Sequence, residues 1–271
     1  MQSEDLLHQN HPAEALKALQ DEIRKAPADA KLRIFMFQLL SVLGDWDRAL
    51  TQLNVAADLD ADKLLVAQLC RPALACEALR AEIFAGGRSP LVFGEPEQWV
   101  GSMVQANYLA AQGKHAAAQE LRDEALEAAP AISGSLNGER FEWIADSDPR
   151  LGPILEGIID GRYYWIPFSA IREIRIEPPA DLCDMVWTLA NFTWANGGEA
   201  MGLIPTRYPG SESSEDAAIQ LAKKTEWVEA APGIYNGLGQ RMLVTDIAEV
   251  PLLETRKLAL DQAGAEKDAG E

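Results

Sequence analysis

A pattern that recurs every 34 residues constrains the fold of this chain more than any other feature. Gly44 lies between two apolar helical stripes, where glycine readily takes the left-handed backbone conformation that ends a helix. Asn10 stands 34 residues earlier, and asparagine tolerates that conformation better than most side chains. An alanine follows both turns at the same distance, since Ala15 matches Ala49. The chain is therefore predicted to begin with two helix pairs related by a repeat.

A third copy of the pattern follows Gly113. Ala118 and Pro130 are separated by the same distance as Ala15 and Pro27, so the small contact residue and the proline that ends the helix keep their register. Helix pairs of this length, with alanines at the contacts, are typical of tetratricopeptide repeats. A generic antiparallel helical bundle also places glycine at turns and alanine at contacts, and it is the alternative.

The segment between the repeats is less regular. Residues 62–85 predict a longer helix in which Pro72 introduces a kink or a break. Residues 86–90 are rich in glycine and predict a loop, and Pro96 is expected to begin the next helix.

After Pro130 the apolar period changes from helical to alternating, which indicates β-structure. Asp160-Gly161 and Asn196-Gly197 each separate two β-favouring runs, and such pairs are the strongest short hairpin signal. Strands are predicted at residues 141–145, 154–159, 162–168, 171–176, 185–195, 199–204, 225–230 and 240–246. A helix capped by Ser213 or Ser214 is predicted at residues 214–224, and a turn at residues 233–239.

The predicted fold class is therefore α+β. Residues 1–130 are expected to form a tetratricopeptide-like antiparallel helical domain, and residues 131–258 a smaller antiparallel β-rich domain. Residues 259–271 are small and charged, and they are predicted to form a flexible tail.

The charge balance excludes several kinds of partner. Asp and Glu number 42 against 24 Lys and Arg, for a net charge of −18, and both halves are acidic. Nucleic acids and anionic membranes are bound through clustered basic residues, so neither is an expected partner. The chain lacks an apolar run of the roughly 20 residues that span a bilayer, and its first residues do not resemble an export signal. With three cysteines at spacings unsuited to a disulfide framework, a cytoplasmic location is expected.

Residues that carry chemistry are sparse. His8 and His11 are spaced to share a metal, but a third ligand is lacking. Asp146 and Asp148 follow a predicted strand, where two carboxylates can chelate a divalent cation; alternatively they end the strand, with Arg150 as charge partner. We therefore expect no enzymatic activity, no cofactor and no metal site.

Aromatic side chains in the second half exceed what one core of this size needs, so some are expected to be covered by the helices or to contact a protein partner. The binding surface is expected either on the concave face of the repeats or at the seam with the sheet. The candidate partner-binding residues, each of which is alternatively a core residue, are Trp46, Trp99, Tyr108, Trp165 and Trp187.

Several motifs of the second half resemble one known family. They are Phe141-Glu142-Trp143-Ile144-Ala145-Asp146-Ser147-Asp148-Pro149-Arg150-Leu151-Gly152-Pro153, Gly161-Arg162-Tyr163-Tyr164-Trp165-Ile166-Pro167-Phe168, Ile174-Arg175-Ile176-Glu177-Pro178-Pro179, Leu182-Cys183-Asp184-Met185-Val186-Trp187 and Pro205-Thr206-Arg207-Tyr208-Pro209-Gly210-Ser211. The chain is similar, from about residue 4 to about residue 255, to the ImpE/SciE/TagJ family of accessory proteins of bacterial type VI secretion systems.

The resemblance implies a cytoplasmic adaptor without enzymatic activity. It implies binding to an amphipathic helix near the N-terminus of the small contractile-sheath subunit, and a link to sheath assembly or to its disassembly by an AAA+ ATPase. The alternative is a generic tetratricopeptide co-chaperone or assembly factor with a different protein client. The oligomeric state is left open.

Overall fold

The computed structural model describes residues 1–95 and 97–262. Helices occupy the first part of the chain, here called the helical part, and one short helix lies further on. Their bounds are α1 (Gln2–His8), α2 (Pro12–Lys25), α3 (Ala30–Val42), α4 (Trp46–Leu59), α5 (Leu64–Phe84), α6 (Gln98–Ala111), α7 (His115–Ala128) and α8 (Ala217–Gln220). Within the described residues, none of these helices combines the length and apolar character needed to cross a bilayer.

The turns predicted from the repeat have the expected backbone conformation. Asn10, Gly44 and Gly113 have φ angles of 63°, 73° and 75°, so each takes the left-handed conformation just after a helix ends. The alanines five residues beyond these turns are fully buried, namely Ala15, Ala49 and Ala118. Helices α1 and α2, α3 and α4, and α6 and α7 therefore pack as consecutive pairs. Their assignment as tetratricopeptide repeats stays a prediction.

Helix α5 corresponds to the long helix predicted at residues 62–85, preceded by a 3₁₀ turn at Ala61–Lys63. Pro72 lies inside this helix. It packs closely on Gly161, because a Cβ added to that glycine would lie 2.9 Å from Pro72 Cβ. Pro96, predicted to begin the next helix, lies outside the described residues, and α6 begins at Gln98.

The strands occupy most of the chain after α7, here called the β-rich part. Their bounds are β1 (Leu91–Val92), β2 (Gly134–Leu136), β3 (Glu139–Phe141), β4 (Ile144–Asp146), β5 (Ile154–Ile159), β6 (Arg162–Pro167), β7 (Ile171–Ile176), β8 (Trp187–Trp194), β9 (Glu199–Pro205), β10 (Thr225–Ala231), β11 (Ile234–Gly239), β12 (Met242–Thr245), β13 (Glu249–Pro251) and β14 (Lys257–Leu260).

Nine strands form one sheet in the order β1-β6-β5-β9-β8-β7-β14-β2-β3, in which only β1 and β6 are parallel among the described pairs. Strands β13, β12 and β4 form a second sheet, and β10 pairs with β11 alone. Both predicted hairpins are present, and the turn residues Asp160 and Gly161 have φ angles of 49° and 72°, as a type I′ turn requires. The α+β fold class, with helices first and a mostly antiparallel β-rich region second, is confirmed.

The strand predicted at residues 141–145 is wrong. Strand β3 ends at Phe141 and β4 begins at Ile144, and the two strands belong to different sheets. Phe141 and Ile144 are both buried although three residues apart, so the chain bends between them and the alternation of a single strand does not hold.

The region after residue 213 also differs from prediction. The helix predicted at 214–224 shortens to the four residues of α8. It starts later because Asp216 rather than a serine caps it, accepting a hydrogen bond from the Ala218 amide at 2.8 Å. It ends at Gln220, and Ala222 takes a left-handed conformation with a φ angle of 52°. The segment 233–239, predicted to be a turn, is largely strand β11.

The predicted tail begins too early. Ala259 and Leu260 belong to β14, which pairs with β7 on one side and β2 on the other. These two residues are therefore part of the large sheet. Residues 263–271 of the predicted tail lie outside the described residues.

Two apolar cores meet at strand β5. Ile154 and Ile158 pack into a core shared with the helices, whereas Leu155 and Ile159 pack into a second core enclosed by the β-rich part. The alternation follows from the strand geometry, which points successive side chains to opposite faces. The helical part therefore covers one face of the sheet, and the division into separate domains stays a prediction.

Candidate functional site

Glu156, in the centre of β5, is a buried carboxylate that joins the helical part to the β-rich part. Arg80 of α5 donates from Nε to Oε1 at 2.5 Å and from Nη2 to Oε2 at 2.9 Å. The Tyr163 hydroxyl donates to Oε1 at 2.5 Å, and Arg241 forms a second ion pair. Burial alone would raise the pKa of Glu156, but the two guanidinium groups outweigh it and hold the pKa at about 2. The carboxylate is therefore ionised in the folded protein.

Arg207 makes a second connection between the two parts. Its guanidinium donates to the Val42 carbonyl at 2.7 Å and to the Ser41 carbonyl at 3.2 Å, at the C-terminal end of α3. A cation there is favourable because the last carbonyl groups of a helix carry partial negative charge. Burial lowers the pKa of Arg207 to about 10, so the side chain stays charged.

Asp146 and Asp148, the carboxylates considered for cation binding, are each held by an arginine. Arg241 bonds to Asp146, whose pKa is raised to about 6 because burial outweighs that guanidinium. Arg150 lies 2.6 Å from Asp148, and the Gly237 amide donates to the same carboxylate oxygen at 2.7 Å. The charge-partner alternative is therefore what the structure shows. Among the residues described, no group of three or more His, Cys, Asp or Glu side chains is placed to hold a metal ion.

A cleft of about 830 Å³ opens at the seam between the two parts, between α7 and the β10–β11 hairpin. One wall is aromatic and belongs to the hairpin, and the other is polar and belongs to the helix. The residues that line this cleft, here called the helix–hairpin cleft, are Ala116, Gln119, Glu120, Asp123, Ser147, Pro149, Trp227, Pro232, Gly233, Ile234, Tyr235 and Glu249.

The hairpin wall is positioned by a close contact between Gly237 and the Tyr208 ring. A Cβ at position 237 would lie 2.4 Å from a ring carbon, so this approach requires glycine. Trp227 stands opposite Gly237 in the strand register, and its ring centroid is 5.9 Å from that of Tyr208. Tyr235 lies two residues from Gly237 and therefore shares the same face of the hairpin.

The cleft combines exposed aromatic surface with acidic charge. Trp227 and Tyr235 are 41% and 46% exposed, which is high for such large apolar side chains. Among the described residues that line the cleft there are three carboxylates and no Lys or Arg; the carboxylates are Glu120, Asp123 and Glu249.

Two buried polar groups have no hydrogen-bond partner within the described part of the chain. They are Ser147 Oγ, whose residue lines the cleft, and Nε of Arg122, on the inner side of α7. Burial lowers the pKa of Arg122, although the nearby Asp148 carboxylate acts in the opposite direction.

Two of the five predicted partner-binding residues are fully buried in the shared core. The Trp165 indole donates to the Tyr163 hydroxyl at 2.9 Å, and the Trp187 indole donates to Glu77 Oε1 at 2.7 Å. Both polar edges are therefore satisfied inside the protein, and both side chains occupy the core position that the sequence left open as an alternative.

The other three predicted residues are scattered. Trp99 is buried and donates to Glu97 at 2.9 Å, Trp46 is half-buried against Trp187, and Tyr108 on α6 is 46% exposed. None of the five lines the helix–hairpin cleft. A role in partner binding stays a prediction for all five, and for the buried ones it would require the side chain to be uncovered.

Trp227 and Tyr235 were not predicted as candidates. The available signal was their place on either side of Pro232-Gly233, in a hairpin too short to bury aromatic rings by itself. Its proximity to α7 is a tertiary feature, which local sequence patterns do not express.

These features define an α+β scaffold whose two parts share a buried ion network and an open cleft. The sequence model of the family described as ImpE protein matches residues 138–259. The type VI secretion system accessory component TagJ of Pseudomonas aeruginosa is 44% identical over 265 residues, which cover 98% of this chain and 93% of that protein. Protein VPA1032 from Vibrio parahaemolyticus, whose crystal structure is known, is 28% identical in sequence to this chain. The two structures superpose with a TM-score of 0.86, and the match covers 98% of this chain and 99% of that one. The chain belongs to the ImpE family, as the sequence motifs indicated.

Proposed function

We propose that this protein is a non-catalytic adaptor of a type VI secretion system that acts in the cytoplasm. Its similarity to TagJ carries the proposal, because 44% identity extends over almost the whole chain and not only over the family motif. The carboxylates best suited to catalysis are occupied by arginines, which favours a structural role for them.

The proposed partner is the small subunit of the contractile sheath, bound through an amphipathic helix near its N-terminus. Consecutive helix pairs that resemble tetratricopeptide repeats support a protein-binding role. A net charge of −18 favours a partner segment with basic side chains. Through this contact the adaptor would take part in sheath assembly or disassembly.

Calorimetric titration of the purified chain with a synthetic peptide of that N-terminal helix tests the proposal. We expect saturable binding in the micromolar range, and little heat from a peptide of scrambled order that has the same charge but no apolar face. Absence of binding at tens of micromolar would contradict the proposal. Recovery from cell lysate of a different client without any sheath component would favour the co-chaperone alternative.

A further inference from the structure

We infer that the helix–hairpin cleft is the surface on which the partner helix docks, and that it takes an amphipathic helix whose apolar face is flanked by basic side chains. This inference rests on the proposed adaptor function and adds the place and the chemistry of the contact.

The aromatic wall supplies the apolar part of the surface. Trp227 and Tyr235 lie on the same face of the β10–β11 hairpin and remain substantially exposed. Aromatic side chains of this kind dominate the energetics of protein interfaces when a partner covers them. An apolar helix face that lies along this wall would remove both rings from water.

The opposite wall supplies the charge. Glu120 and Asp123 project from α7 into the cleft and Glu249 stands at the start of β13, without a compensating Lys or Arg among the described lining residues. The pattern favours a cationic side chain over a neutral or anionic one, because like charges across an interface are costly. A helix with Lys or Arg beside its apolar face can cover the aromatic wall and pair with the carboxylates of the opposite wall at the same time.

Both walls of the cleft are anchored to the rest of the protein in the absence of a partner. On the hairpin side, the Gly237 amide is bonded to Asp148, and the Gly237 carbonyl accepts from Arg150 at 3.3 Å. On the helix side, Ala118 and Ala125 are buried in the interior. Because the walls are already anchored, fewer side chains and loops have to become ordered when a partner binds. This favours affinity even where the contact area is modest.

Calorimetry with the sheath-helix peptide and paired variants of the full chain tests the inference. The first pair is W227S/Y235S against V228S, since Val228 is exposed on the same strand but outside the cleft. The second pair is E120K/D123K against E124K/E127K, which makes the same change of charge on α7 with residues that do not line the cleft.

We expect W227S/Y235S and E120K/D123K each to weaken binding by about tenfold or more, and V228S and E124K/E127K by less than about threefold. The loss of binding affinity caused by E120K/D123K is also expected to be smaller at high salt, because salt screens the electrostatic contact. Circular dichroism melting confirms that each variant folds. E120K/D123K alters only exposed side chains, so it decides the matter if the aromatic variant does not fold.

The outcomes separate this inference from the adaptor function. If the unaltered chain binds the peptide and the cleft variants bind equally well, the docking site lies elsewhere and the inference is overturned while the adaptor function stands. If the unaltered chain does not bind the peptide, both proposals fail.

Discussion

Arg80 of α5 and Glu156 of β5 form a buried two-point ion pair, with distances of 2.5 and 2.9 Å, that joins the helical part to the β-rich part. Removing two such charges from water is costly, and the parallel hydrogen bonds offset that cost only while both partners are present. Arg241 forms a second ion pair with the same carboxylate. The two parts are therefore connected by a charge network as well as by apolar packing.

Glu156→Gln is expected to lower the free energy of unfolding by about 3–5 kcal/mol, because it removes the buried carboxylate that Arg80 and Arg241 share. Each guanidinium then keeps only its other ion pair, Arg80 with Glu77 and Arg241 with Asp146. Urea unfolding followed by circular dichroism measures this. Glu173→Gln is the control, since Glu173 pairs with Arg175 and Lys257 at the surface and is expected to change stability by less than about 1 kcal/mol. Equal losses for the two variants would argue against the network as the connection.

The depressed pKa of Glu156 predicts that the stability of the folded protein depends on pH. Its pKa is about 2 in the folded protein, against a usual value of 4.5. Because the folded-state pKa is depressed, the stabilisation is complete above a pH of about 4.5 and is lost as the pH falls towards about 2. The stability difference between the unaltered chain and Glu156→Gln should therefore narrow between about pH 7 and about pH 3.5. A difference that stays constant over this range would contradict the prediction.

The raised pKa of Asp146 makes stability depend on pH in the opposite direction. Its folded-state pKa is raised from 3.8 to about 6, so its contribution to stability decreases as the pH rises between those values. Asp146→Asn should remove this dependence, so that its stability relative to the unaltered chain rises with pH from about 4 to about 6. Urea unfolding across that range measures the difference, and a relative stability that falls with pH would contradict the assignment.

Arg122 and Arg241 are both buried, but replacing each by Met should have different results. Arg241 bonds to Asp146, Glu156 and the Pro205 carbonyl, so Arg241→Met is expected to cost about 3–5 kcal/mol. Nε of Arg122 has no partner in the described part of the chain, so Arg122→Met is expected to be neutral or to stabilise by about 1 kcal/mol. A large loss for Arg122→Met would show that this side chain is bonded in solution.

Gly237 and Gly101 form a second contrasting pair. Gly237→Ala places a methyl group against the Tyr208 ring and is expected to cost about 1–3 kcal/mol. Gly101 lies in α6 with open space around it, so Gly101→Ala is expected to stabilise by about 0.5–1 kcal/mol. Thermal melting compares the two, and a stabilising Gly237→Ala would mean that the hairpin is not seated on Tyr208.

Residues 1–130 produced alone are expected not to unfold cooperatively. Glu77 and Arg80 would lose Trp187 and Glu156, and the apolar side chains that face the sheet would be exposed. Binding of a hydrophobic dye together with a broad thermal transition would agree with this expectation. A sharp transition close to that of the full chain would instead support two independent domains.

Much of the local structure was accessible from the sequence. Asn10, Gly44 and Gly113 marked the helix turns because left-handed backbone favours few residues, and Asp160-Gly161 marked a hairpin for the same reason. Strand β14 was missed because four residues carry too little pattern to distinguish a strand from the start of a tail. The bend between Phe141 and Ile144 was missed because a short alternating stretch does not reveal that the chain changes sheets.

The sequence by itself determined that helices precede a β-rich region, that the chain is acidic and which family it belongs to. Those properties depend on neighbouring residues, on composition or on motifs, and all three are present in the linear chain. Only the tertiary structure decided that Arg80 meets Glu156, 76 residues further on, and that Trp227 faces α7 across a cleft. Such pairings depend on how the sheet packs against the helices, and no local periodicity encodes which distant side chains that packing brings together.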